Sequence, residues 1–96
     1  MVDPVTNPSR TGDIAEHYVV TWLWDTGYEV FMNAGCSGPI DIVAVKDGQA
    51  TLVDVKSYAS NGVGLPKRSD LQKELGVVYA HFNPKTRKCR WVKHIK

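Results

Sequence analysis

Cysteine is scarce in this chain. Cys36 and Cys89 are its only two, they lie far apart, and neither belongs to a CxxC or Cys/His spacing. That excludes a zinc site built on clustered thiolates, and both thiols are expected to be reduced. No apolar run approaches the roughly 20 residues that a membrane helix needs. The opening Met1-Val2-Asp3-Pro4 has no basic segment followed by an apolar one, so no signal peptide is expected. The expected compartment is the cytoplasm (the host's, if the chain is viral). Repeats, low-complexity stretches and internal linkers are all missing, so residues 1–96 read as a single α/β domain. Acidic residues, finally, are absent after Glu74.

That last gap exposes a charge asymmetry hidden in the net +2. Residues 1–54 carry eight acidic and two basic residues, a net −6, whereas residues 55–96 carry ten basic and two acidic, a net +8. The pattern suits either a solvated surface or an acidic metal site beside a face that binds a polyanion. Charge alone does not choose between them.

Residues 1–10, with Pro4 and Pro8, are expected to form a loose arm. Thr11 suits an N-cap, Asp13 suits the first turn, and Ala15, Val19, Trp22 and Leu23 recur at helical spacing. This predicts a helix over 14–26 that stops at Gly27. Strands are expected at 28–32, 40–45 and 50–55, a short helix at 69–75 ended by Gly76, and two more strands at 77–82 and 89–94. The stretches 33–39 and 57–66 read as loops. The order is therefore α-β-β-β-α-β-β.

Between the second and third strands, Asp47-Gly48 is a hairpin signal. If this pair is the two-residue loop, Lys46 pairs with Gln49, and the register places Asp41 directly opposite Asp54. Their Cβ atoms would lie about 4.5–5.5 Å apart on one face, and Lys56, two residues after Asp54, would share that face. Two facing carboxylates destabilise a sheet unless something neutralises them, and a divalent cation with hard oxygen preferences, Mg²⁺ above all, would do so. The ammonium of Lys56 could then orient or deprotonate a water and stabilise charge on a phosphorane-like transition state. Glu16, with Val19 and Val20 as its i+3 and i+4 neighbours, lies beside the apolar side of the first helix and could reach the sheet edge to bind the metal directly or through water.

These residues resemble the PD-(D/E)xK nucleases. The matching run is Ser37-Gly38-Pro39-Ile40-Asp41, then twelve residues, then Asp54-Val55-Lys56. Upstream, Gly12-Asp13-Ile14-Ala15-Glu16 is similar to the helical segment that carries an acid in archaeal-type Holliday-junction resolvases, and Gly27-Tyr28-Glu29-Val30-Phe31 extends the likeness. The resemblance covers 11–57 and continues weakly over 68–78. It implies a restriction-endonuclease-like core, a mixed β-sheet flanked by helices. It also implies Asp41 and Asp54 as metal ligands, Lys56 as the catalytic lysine and Glu16 as the helical acid. Ser37 matches a loop serine near the scissile phosphate, and Gln72 falls where relatives carry a supporting polar residue. Asp54 departs from the glutamate more usual at its position, and its shorter arm could alter the metal geometry.

The expected activity is thus Mg²⁺-dependent hydrolysis of DNA phosphodiesters, with Mn²⁺ as a substitute, by a homodimer acting on branched DNA. Ser37, Lys67, Arg68, Gln72, Lys88 and Arg90 are the candidate DNA contacts. Lys88 and Arg90 can share a strand face that Lys93 cannot. Ser37 serves equally well as a turn former. His17, His81 and His94 form no ligand set, and Trp22, Trp24 and Trp91 read as core and interface bulk; Trp24, Tyr79 or Trp91 could lie in a dimer interface. Two alternatives stay open: a sequence-preferring restriction-like, homing or replication-associated nuclease of the same fold, and a DNA-binding module that does not cut.

Overall fold

A computed structural model describes residues 8–35, 37–59 and 64–94. The elements run α1 (Pro8–Asp25), β1 (Glu29–Met32), β2 (Ile42–Lys46), β3 (Gln49–Ser57), α2 (Asp70–Leu75), β4 (Val78–Asn83) and β5 (Lys88–Trp91). This is the expected order. The helix α1 starts earlier than expected, however. Residues 8–10, expected in the loose arm, form its first turn, so Thr11 and Asp13 lie inside the helix rather than capping it. Proline is tolerated at the start of a helix because its missing N–H would have no partner there. Residues 1–7 of that arm lie outside the described residues.

Gly27 ends α1 as anticipated. It adopts φ +94°, its N–H donates to Trp24 O, and the Tyr28 N–H donates back to Leu23 O. These two bonds satisfy carbonyls that the last helical turn leaves unpaired.

The strands form one sheet in the order β1-β2-β3-β4-β5, antiparallel except for the parallel β3–β4 pair. Asp47 and Gly48 both take positive φ, 54° and 76°, as a two-residue hairpin matched to the strand twist requires. The register that follows is the one expected, from Lys46↔Gln49 to Ile42↔Val53. Helix α1 covers one face of the sheet. Ala15, Val19 and Leu23 are fully buried there against Ile42, Ala44, Val53, Ala80 and Phe82. Because side chains alternate along a strand, Asp54, Lys56, Tyr79, His81 and Arg90 point to the other face. Trp91 packs on Trp22 and Tyr28, at ring-centroid distances of 5.2 and 6.1 Å. Of the three aromatic residues suggested for an interface, Tyr79 is buried, Trp91 is half-buried and Trp24 is 63% exposed. Among the described residues no helix is long and apolar enough to cross a membrane.

Candidate active site

The hairpin ladder stops one residue short of Asp41. Its backbone N–H donates to Val53 O at 2.8 Å, although Val53 is already the partner of Ile42. Asp41 therefore stands at an irregularity at the strand's mouth rather than in a regular pair with Asp54. Its Oδ2 accepts the Val55 N–H at 2.8 Å, so the carboxylate replaces the carbonyl that a continued ladder would have supplied. The expected meeting of the two acids survives this shift. Burial, first, and a hydrogen bond shared with Asp54 push the Asp41 carboxyl up to about 6, while the Val55 N–H opposes the rise.

Asp54 sits mid-strand on β3, the central strand, and its side chain is only 13% exposed. Lys56 Nζ lies 3.2 Å from its Oδ2 and 5.2 Å from the centre of the Tyr79 ring. The ammonium is thus held between a carboxylate and an aromatic face. A second donor reaches the same oxygen: Gln72 Nε2, at 2.7 Å.

The expectation that Gln72 contacts DNA is corrected by its surroundings, because the side chain is buried and its amide is fully engaged. Nε2 also donates to Pro39 O at 3.0 Å, and Oε1 accepts the Ser69 N–H at 3.1 Å, closing a capping box at the start of α2. Gln72 therefore ties α2, the loop before Asp41 and the Asp54 carboxylate together. Both donations of its Nε2 go to acceptors within the protein, which leaves no amide N–H for DNA.

Glu16 lies on α1, half-buried. Burial, first, then the neighbouring Asp13 and the more distant Asp54 raise its carboxyl, and His17 opposes them. Glu16 in turn contributes to the raised value of Asp41. The three acids share one electrostatic environment, but among the described residues no three His, Cys, Asp or Glu side chains converge closely enough to hold an ion together.

Asn33 was not anticipated. Its Nδ2 donates to Ser37 O and Ile40 O, both at 2.8 Å, its Oδ1 accepts the Gly35 N–H, and its own N–H donates to Asp41 O. It clamps the loop that delivers Asp41. The signal was an Asn opening a run of small residues, where its side chain can bond the backbone two residues on. Ser37 is exposed in this clamped loop. A pocket of about 220 Å³ opens beside Asp41, lined in part by Phe31, Met32, Asn33 and Ile40.

The remaining candidates surround the site unevenly. Lys67 and Lys88 are exposed. Arg68 is half-buried, with Nη1 donating to Val77 O at 2.9 Å. The Tyr79 N–H donates to His94 Nε2 at 2.9 Å, and burial, then the Arg68 charge, lower the His94 value. Arg90 Nε donates to His81 Nδ1 on the face that carries Asp54. His17 Nδ1 contacts Asp13 O on the exposed side of α1. Cys36 lies outside the described residues; Cys89 is a free thiol that burial pushes up to about 11.

No protein-family model matches the chain. Sixty of its residues are 42% identical to a UPF0102 protein of Clostridium perfringens, over 60% of this chain and 49% of that protein. A match of 69 residues is 35% identical to a UPF0102 protein of Syntrophus aciditrophicus, over 70% of this chain and 54% of that protein. The chain thus spans about half the length of these curated relatives. Among solved structures, that of a bacterial homing endonuclease superposes with a TM-score of 0.71 at 17% identity, over 90% of this chain and 68% of that one. At that identity the likeness establishes the fold, which is restriction-endonuclease-like as expected.

Proposed function

We propose that the chain is a Mg²⁺-dependent endonuclease that hydrolyses DNA phosphodiesters, acting as a homodimer on branched DNA in the manner of a Holliday-junction resolvase. The observation that carries the reading is the Asp41–Asp54 pair, two acids close enough to raise the Asp41 carboxyl, with Lys56 Nζ 3.2 Å from Asp54 Oδ2. Carboxylates held this close suit a cation. Mg²⁺ takes hard oxygen donors, commonly one or two carboxylates completed by water and substrate phosphate. Asp41 and Asp54 would hold it, with Glu16 reaching it through water, and Mn²⁺ would substitute. When bound, the ion would supply Lewis-acid polarisation of the scissile phosphate.

The chain's own groups do the rest. Gln72 and the Val55 N–H fix the two carboxylates through their Oδ2 atoms. Lys56 keeps its ammonium at the reacting phosphate, where it orients the attacking water and offsets the negative charge that grows on the equatorial oxygens. Lys67, Arg68 and Lys88 supply contacts to the polyanionic backbone.

The test is a labelled panel of four-way junction, linear duplex, flap and single strand, each with Mg²⁺ or EDTA. Symmetric, metal-dependent nicks confined to the junction are expected, and Asp54→Ala should abolish them while DNA binding persists. Cutting of linear duplex at preferred sequences would replace the resolvase reading with that of a sequence-preferring nuclease, an alternative favoured by the homing-endonuclease fold. Tight binding without cleavage of any substrate would leave a DNA-binding module. Light scattering that finds a strict monomer, even on DNA, would remove the homodimer.

A further inference from the structure

The face that carries Asp54 and Lys56 continues beyond them along one rung of the sheet. Lys56 on β3 is in register with His81 on β4, and His81 with Arg90 on β5. Neighbouring strands lie about 4.8 Å apart, so Arg90 starts about 10 Å across the sheet from Lys56.

His81 is 1% exposed, and both of its ring nitrogens are engaged. Nε2 lies 2.8 Å from Tyr58 O. A carbonyl can only accept, so Nε2 carries the ring hydrogen and Nδ1 is left as an acceptor. Arg90 Nε donates to it at 3.1 Å. Bonding through Nε holds the guanidinium, and among the described residues no hydrogen bond engages its two terminal nitrogens. Among the described residues no carboxylate lies within ion-pairing distance of Arg90. A braced, half-buried cation with an open fork and no acidic partner is suited to an anion with paired oxygens. Lys88, on the same face of β5 and exposed, carries the positive track outward to the sheet edge.

We propose that Arg90 is a phosphate-binding residue for a phosphodiester flanking the scissile one, with His81 as its positioning residue. The flanking phosphate then lies on the face that carries Lys56, two strands away from it. This rests on the nuclease reading above, and it assigns that reading a second phosphate subsite.

The test is equilibrium binding of DNA in EDTA over a salt series, so that cleavage does not enter. Arg90→Gln should weaken binding about tenfold and reduce the slope of log K against log salt by about one. Arg90→Lys should keep the slope, because the charge stays, yet lose affinity, because the fork and its brace are gone. Single methylphosphonates placed along the strand should reveal one flanking position that weakens wild-type binding but not that of Arg90→Gln. His81 is buried and its replacement can unfold the chain, so the decisive variants are those of the half-exposed Arg90. Slopes and methylphosphonate patterns unchanged in Arg90→Gln, with wild-type binding intact, would overturn this subsite and leave the nuclease reading standing. A wild-type protein that binds none of the DNAs would overturn both.

Discussion

Gln72→Met removes a polar hub while nearly preserving volume. Three groups lose their partner: the Ser69 N–H, the Pro39 carbonyl and the Asp54 carboxylate. A net hydrogen bond contributes about 1 kcal/mol, and one to a charged group about 1.5–3. Ser69 and Pro39 are close enough to solvent to recover water in part. Asp54 is mostly buried and would face Asp41 with only Lys56 to offset it. A loss of about 2–3 kcal/mol follows, which for a domain of this size lowers Tm by roughly 10–20 °C. Thermal unfolding in EDTA measures this loss directly. A second readout separates site from scaffold. With Asp54 no longer held, turnover well below the lowered Tm should fall roughly tenfold to a hundredfold, while DNA binding, carried by exposed cations, stays near wild type. A variant that melts and cuts like the wild type would show that the amide neither supports α2 nor positions the carboxylate.

Two further outcomes concern titrating groups. The Asp41 carboxyl ordinarily titrates near 3.8 and here does so at about 6. The folded state thus holds its proton more tightly than the unfolded one, and stability is lost as pH rises through that interval. In EDTA, Asp41→Asn should therefore raise Tm at pH 8, with the gain vanishing near pH 4; a flat difference across pH would refute the raised value. Mg²⁺ held by Asp41 as proposed would compete with that proton, so its affinity, followed by calorimetry, should climb with pH until about 6 and then level off. Cys89, its thiol pushed up to about 11 by burial, should react with a thiol reagent at pH 8 far more slowly in folded Cys36→Ser protein than after unfolding. Equal rates would mean that the thiol is not protected.

Much of the fold was legible because its signals are local. The Asp47-Gly48 turn set the register of five pairs without any knowledge of the rest of the chain, and Gly27 and Gly76 marked both helix ends. The helix start was missed because Thr11 and Asp13 are good cap residues in isolation, and a proline at the first position of a helix looks the same in sequence as one in a loose arm. The acids were legible as a pair, since the hairpin register and strand alternation together bring Asp41 and Asp54 to one place. The irregularity at Asp41 was not, because it depends on a bond between a side chain and the backbone of Val55. The partners of Gln72, Asn33 and His81 were hidden for the same reason. Each is a polar residue whose partners lie on another element or across a loop, and nothing in the neighbouring sequence distinguishes a buried hub from an exposed contact.

The strand order places Asp54 and Lys56 on β3, with two strands to either side. The proposed reacting groups are therefore set apart from the rims, where β1 presents exposed Phe31 and Met32 and β5 presents exposed Lys88. On the proposed reading, substitutions at either rim would remodel what the protein grips without disturbing how it reacts. Such a scaffold can diversify its targets by drifting at its margins while its centre stays under strong constraint.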